Sequence, residues 1–223
     1  RGSLRSVAVS GSLPRVLKAR GIRAVIFAPQ AKPGTRLDFP MDDFCGVSIG
    51  YSLLAPRMDV VTNDHFTTMT GILERLRGSG HDRIGCHLWQ EDNERMGRRA
   101  GSAFLAFSQD FSAQINTYRS FSCRRFLEWI REHRFDAVVG RGIEQAKAVK
   151  NGMPGTRKPT FAGYSIDPGE TRFPGMCHNN RLIGARAAEW TCGKLERGQF
   201  GASPVPQRLL VAGTWLESAP IAS

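Results

Sequence analysis

Acidic groups are in short supply: Asp and Glu total 20 against 31 Lys and Arg, a formal net charge of +11 over 223 residues. Such an excess concentrates phosphates and carboxylates near the surface by long-range attraction. The cations are nevertheless dispersed, as at Arg57, Arg75, Arg98, Arg124 and Arg141, without a basic arm or interleaved aromatics. They read as a solvated surface in preference to a nucleic-acid interface. No window approaches the roughly 20 apolar residues of a bilayer-spanning helix, so a membrane-embedded protein is excluded. Cysteine is sparse: Cys45, Cys86, Cys123, Cys177 and Cys192 are odd in number and lack CxxC or Cys/His spacing. They are expected to be buried thiols of a protein in the reducing cytoplasm, neither a disulfide framework nor a zinc site. His65, His81, His87, His133 and His178 show no HxxxH or HxH spacing, so neither a metal nor any other cofactor is expected.

The catalytic and nucleotide motifs are incomplete too. Gly140-Arg141-Gly142 lacks the third glycine of a dinucleotide fingerprint, and Gly78-Ser79-Gly80 lacks the lysine of a phosphate loop. Gly163-Tyr164-Ser165-Ile166-Asp167 carries Asp167 where a nucleophile elbow requires glycine. In an extended segment Cys177 and His178 point to opposite faces, which denies the thiol the hydrogen bond that would activate it. An enzyme using Ser165 or Cys177 is therefore the weakest functional reading.

What is present is an alternation of short β-branched runs with amphipathic stretches, the pattern of an α/β fold with largely parallel sheets. A helix over Leu13–Ala19 precedes the strand Ala24-Val25-Ile26-Phe27-Ala28, and further strands are expected at 46–49 and 60–61. Asn63-Asp64 can cap the next helix, in which Phe66, Met69, Leu73 and Leu76 recur at steps of three and four before Gly78. After the strand 83–89, the acidic Glu91-Asp92-Asn93-Glu94 opens a single helix expected to run to Phe107, and a polar stretch leads to the N-cap Ser122. Strands at 136–140, 160–164 and 208–213 and helices at 143–150 and 181–195 complete the order.

Parallel α/β sheets bind ligands beyond the carboxyl ends of their strands, where loops and helix N-termini present polar groups. Those ends carry Asp64, Trp89, Arg141, Ser165 and Asp167, with Arg98 near a helix start. An aromatic platform, carboxylates and guanidinium forks suit a polyhydroxylated or acidic small molecule. Taken singly, each has a plainer use: Asp64 as a cap, Trp89 in the core, Arg98 and Arg141 in solvent.

One collinear set of segments is more specific. Val61-Thr62-Asn63-Asp64, a helix, then Gly80-His81-Asp82-Arg83-Ile84-Gly85 resembles the "V..D, helix, GH.RIG" block of the effector-binding domain of the lactose and galactose repressor (LacI/GalR) family. Arg98-Arg99-Ala100-Gly101 is similar to that family's RxxG motif, residues 126–139 to its helix and "D-A-hydrophobic" strand, and residues 159–167 to its P-x-x-x-G-Y-D segment. Asn179-Asn180-Arg181-Leu182-Ile183-Gly184 resembles its late helix and residues 207–215 its last strand. Two departures stand out: Ser165 follows Gly-Tyr where the family has Asp, with Asp167 two residues on, and Gly140-Arg141 replaces a common Asn-Asp pair. The latter points to a more acidic ligand.

The resemblance implies a two-lobed, periplasmic-binding-protein-like effector domain of a regulator that is not an enzyme. Residues 1–88 with 178–205 would form the N-terminal lobe and 89–177 with 206–223 the C-terminal lobe. It implies a sugar or sugar acid in the inter-lobe cleft, with Asp64 at the cleft edge, Arg98 clamping hydroxyls or a carboxylate, and Asp167 nearest to the carboxylate that takes the ligand. It further implies a homodimer and operator DNA bound by a helix-turn-helix domain absent from this chain. The family's first strand, helix and second strand of the ligand lobe are absent as well, so the chain reads as a fragment with an incomplete first lobe and is expected to be poorly stable alone. A solute receptor of a transport system uses the same architecture; an upstream signal peptide would favour it, an upstream helix-turn-helix the regulator.

Overall fold

The computed structural model describes residues 7–8, 12–153, 158–170 and 172–218. In order, the elements are β1 (Val7–Ala8), α1 (Leu13–Ala19), β2 (Ala24–Phe27), β3 (Thr35–Asp38), β4 (Cys45–Ile49), β5 (Leu53–Ala55), β6 (Asp59–Asn63) and α2 (His65–Gly78). There follow β7 (Arg83–Trp89), α3 (Gln90–Arg95), α4 (Arg99–Phe107), β8 (Ser112–Tyr118), α5 (Cys123–His133), β9 (Ala137–Gly140) and α6 (Ile143–Gly152). Then come β10 (Thr160–Ile166), β11 (Gly175–Cys177), α7 (Asn180–Glu196), β12 (Arg208–Val211) and β13 (Thr214–Leu216). Short 3-10 turns occupy Met41–Asp43 and Ser108–Asp110. This is the expected α/β fold, with mostly parallel sheets flanked by helices.

The chain divides into two compact units: residues 1–63, 94–97 and 179–211, and residues 64–93, 98–178 and 212–223. These boundaries differ from those expected. Residues 64–88 join the second unit because β7 is hydrogen-bonded to β8 on one side and β9 on the other, while α2 packs on α4. Residues 206–211 join the first because β12 pairs along β6 from Arg208↔Val60 to Val211↔Asn63.

In the first unit a parallel four-stranded sheet runs β12-β6-β4-β2, beside a small parallel sheet β1-β3-β5. Helix α7 lies on β4, β2 and β6, burying Ile183 and Ala187 against Val47, Val61 and Val211. A second cluster gathers Phe27, Phe39, Met41, Phe44 and Met58, with Leu17 of α1 packed against it. Between α7 and β6 sits a buried ion pair, Lys194 with Asp59, whose carboxylate also accepts from Ser203 Oγ at 3.0 Å and the Gln207 N–H at 2.8 Å. Those three donors hold Asp59 below the usual carboxylate range even though burial itself pushes the other way.

The second unit is a six-stranded sheet, β13-β11-β10-β9-β7-β8, parallel except for β13, which runs antiparallel to β11. Alternation along the strands sends Val138 and Phe161 toward Phe126, Leu127 and Ile130 of α5 and Ala148 and Val149 of α6. The intervening Ala137, Val139, Ile84, Cys86 and Leu88 are fully buried on the other face, where α2 and α4 pack. Gly85 is required by this packing, since a Cβ there would come within 2.8 Å of both Phe135 and Trp129.

Three local expectations are corrected. The single helix over 91–107 is broken into α3 and α4 by Gly97 (φ 63°) and Arg98 (φ 59°), both left-handed, the latter at a cost of about 1–2 kcal/mol for a residue with a side chain. The polar stretch before Ser122 contains the edge strand β8, in which Ala113 and Ile115 are only partly covered. Cys45, Cys86 and Cys177 are buried as expected, but Cys123, in the first turn of α5, and Cys192, on the outer side of α7, are exposed.

Candidate ligand-binding site

The carboxyl ends of four parallel strands of the second unit open onto a cavity of about 600 Å³. Each wall follows from the topology. Trp89 ends β7, Tyr118 ends β8 with Arg119 next to it, Arg141 follows β9, and Ser165 and Asp167 lie at the end of β10. The N-terminus of α6 supplies Glu144 and Gln145, so backbone N–H groups and the positive end of the helix dipole lie along one side. The volume lies within the roughly 300–1,000 Å³ of small-molecule sites.

Arg141 is held from two directions. Its guanidinium forms an ion pair with Asp92 and lies 5.3 Å from the centre of the Trp89 ring, and its backbone N–H donates to Gln145 Oε1 at 2.7 Å. The Tyr164 hydroxyl donates to Asp92 Oδ2 at 3.5 Å, and Arg119 Nε donates to Gln90 Oε1 at 3.0 Å.

Beneath the cavity, Gln145 organises a buried network. Its Nε2 donates to His87 Nδ1 at 2.7 Å and lies 3.3 Å from both the His87 carbonyl and the Tyr118 hydroxyl. Because Oε1 already accepts from Arg141, His87 Nδ1 must act as the acceptor, which leaves the proton of the neutral ring on Nε2. Burial favours that neutral form, depressing His87 to about 4, and the ring stacks on Tyr118 with centroids 4.2 Å apart. Burial also raises the Tyr118 phenol above its ordinary value, so it stays a hydroxyl at neutral pH. Gly140 makes this arrangement possible: a Cβ there would lie 2.4 Å from Gln145 Oε1.

Ser165 Oγ lies 3.3 Å from His178 Nδ1. His178 is also depressed to about 4 by burial, its Nε2 is buried with no partner among the described residues, and its ring meets His65 edge-on at 5.5 Å. Among the described residues no carboxylate orients this imidazole as a serine nucleophile's base requires. The Cys177 thiol donates to the His178 carbonyl at 3.6 Å, whereas the ring Nδ1 meets Ser165. Among the described residues no group of three His, Cys, Asp or Glu side chains could hold a metal, and no helix is long and apolar enough to cross a membrane.

Four of the six residues singled out in the sequence, Trp89, Arg141, Ser165 and Asp167, therefore line one cavity. The other two do not line it. Asp64 is the N-cap of α2, accepting from Thr67 N–H at 3.1 Å and Thr67 Oγ1 at 2.7 Å. Arg98 stands exposed at the α3–α4 break, its backbone N–H donating to the Asn93 carbonyl at 2.6 Å. Tyr118, Arg119, Phe121, Glu144 and Gln145 were not foreseen. Ala113 and Ile115 alternate with polar neighbours and hold the only sequence signal for the strand that delivers Tyr118.

The sequence matches no protein-family model and no curated protein. Solved structures are similar in fold. A regulatory protein of the LacI family from Chloroflexus aggregans superimposes with a TM-score of 0.65 at 18% identity, over 92% of this chain and 79% of that one. A periplasmic binding protein/LacI transcriptional regulator from Alkaliphilus metalliredigens, complexed with D-xylulofuranose, gives 0.64 at 12% identity over 92% and 80%. The Cra transcriptional dual regulator from Pseudomonas putida, in complex with fructose 1-phosphate, gives 0.61 at 14% over 94% and 82%. The chain thus has the fold shared by LacI-type transcriptional regulators and periplasmic-binding-protein-like domains.

Proposed function

We propose that this chain is the effector-binding part of a LacI-type transcriptional regulator and that its effector, a sugar or sugar acid, occupies the cavity at the strand ends of the second unit. The observation that carries this reading is the joint placement of Trp89, Arg119, Arg141, Ser165 and Asp167 around one cavity of about 600 Å³. A sugar presents an apolar face of C–H groups and an edge of hydroxyls. Trp89 offers a platform for the former; Ser165, Glu144 and Asp167 accept from hydroxyls, while Arg119 and Arg141 donate to hydroxyls or a carboxylate. Asp92 neutralises part of the Arg141 charge and fixes its direction, so the guanidinium is oriented before a ligand arrives.

Ligand that binds one arrangement of such a protein better than another shifts a two-state equilibrium by its differential affinity, and only by that amount. In this reading the shift reaches operator DNA through a helix-turn-helix domain outside this chain, in a cytoplasmic homodimer without catalytic activity. The roles of Asp64 and Arg98 in binding rest on the family resemblance alone.

Isothermal titration against D-ribose, D-xylulose, D-gluconate and fructose 1-phosphate tests the proposal. At least one compound is expected to bind, with Trp89→Ala and Arg141→Ala each weakening it tenfold or more. Undiminished binding in both variants would place the effector elsewhere, and Arg98→Ala separately tests the contact that the resemblance gives to Arg98.

A further inference from the structure

The first unit carries a second cavity, of about 720 Å³, lined by segments of both of its sheets. Its polar lining has a single sign of charge. Arg36 of β3, Arg57 of the β5–β6 link and Arg208 at the start of β12 all line it, and among the described residues no Asp or Glu does. The cavity in the second unit, by contrast, sets Glu144 and Asp167 against Arg119 and Arg141. The three arginines are far apart in sequence and reach one concavity only through the fold.

The acid next to this lining in the chain, Asp59, is already engaged. It is buried and matched by Lys194, Ser203 and Gln207, so it contributes little negative potential to the cavity. Like charges gathered in a concave surface with low-dielectric walls focus a positive field. The frame around them is fixed: the Arg57 carbonyl accepts from the Ser203 N–H at 2.9 Å, and the Val60 N–H donates to the Gln207 carbonyl at 2.9 Å. Apart from Ser48 and Tyr51 the remaining wall is apolar, with Leu54 46% and Val205 77% exposed.

We propose that this cavity is a second ligand site, taking a small organic anion whose phosphate or carboxylate is held by Arg36, Arg57 and Arg208 while its apolar body covers Leu54 and Val205. Guanidinium forks match both headgroups in a bidentate manner, and a phosphate ester presents more charge and one more oxygen than a carboxylate. The site is independent of the cavity assigned to the sugar effector.

Titration calorimetry of the whole chain with phenyl phosphate, benzoate and uncharged benzyl alcohol separates the possibilities. Phenyl phosphate is expected to bind, more weakly as KCl is raised, and benzyl alcohol is not. Tighter binding of benzoate would support the site and make carboxylates its class. The double variant Arg57→Gln/Arg208→Gln is expected to lower the affinity at least tenfold, whereas Trp89→Ala, in the other cavity, leaves it unchanged. Should the double variant fail to fold, the Nε–H resonances of the unmodified protein decide: phenyl phosphate must shift Arg36, Arg57 and Arg208. Absence of binding by both anions at millimolar concentration, an unchanged affinity in the folded double variant, or shifts confined to Arg119 and Arg141 would overturn the proposal.

Discussion

Replacing Gln145 by leucine isolates the network under the candidate effector site. The side chain is 3% exposed, and leucine has nearly its volume, so the change deletes hydrogen bonds without opening a large void. Two groups would lose their partner: the Arg141 backbone N–H, bonded at 2.7 Å, and His87 Nδ1, also at 2.7 Å inside a cage of Tyr118, Phe121, Phe126 and Trp129. Each orphaned group costs about 1–3 kcal/mol, about 2–6 kcal/mol for the two, and burying the added apolar surface of leucine returns about 1 kcal/mol, leaving a net loss of about 1–5 kcal/mol. Urea unfolding followed by near-ultraviolet circular dichroism reads that loss, and ring nitrogen shifts of His87 report its tautomer. A loss below about 0.5 kcal/mol with the Nε2–H tautomer intact would refute the assignment of Gln145 as the bridge between His87 and Arg141. Because Arg141 follows directly from β9, effector affinity is expected to fall in the same variant even though Gln145 lies beneath the cavity.

Acid should destabilise the protein in a defined window. His65 and His87 are held neutral by burial at about 4 when folded, below their ordinary 6.5, so the unfolded chain takes up protons first. Their contribution is complete above pH 6.5 and is lost as pH falls through about 4; for His87 the gap corresponds to about 3 kcal/mol. Thermal melts between pH 8 and 4 check this, and a melting temperature flat over that range contradicts it. Lys194→Met is expected to cost about 3–5 kcal/mol in urea unfolding by stranding the buried Asp59 carboxylate, and adding Asp59→Asn should recover part of the loss. If the double variant is as unstable as the single, the buried charge is not the cause. Gly140→Ala should displace Gln145 and weaken effector binding while the isosteric exchange of exposed Glu144→Gln leaves stability unchanged, as paired titrations and melts would show.

The sequence was most informative where local chemistry and tertiary packing agree. Leu13–Ala19 and β7 stand where expected, and Asp64 and Ser122 cap their helices by accepting from Thr67 and Arg125. The signal failed where tertiary pairing decides. Strand β8 is an edge with half-covered side chains and so lacks a strong apolar run, and β3 and β5 are short strands whose partners lie far along the chain. The break at Gly97-Arg98 was hidden because the amphipathic pattern continues through it into Ala100, Ala103 and Phe104. At the site, strand-end reasoning reached Trp89, Arg141, Ser165 and Asp167 because parallel strands deliver their last residues to one edge of the sheet. Gln145 stayed invisible: its role depends on His87, 58 positions away, and on the missing Cβ of Gly140.

The most direct test of the central claim is to titrate the protein with whichever sugar or sugar acid binds in calorimetry while following the Trp89 indole N–H and the Arg119 and Arg141 Nε–H resonances. If the effector occupies this cavity, these three signals move together and saturate at the calorimetric affinity. Saturation with all three unmoved, while resonances elsewhere shift, would contradict it.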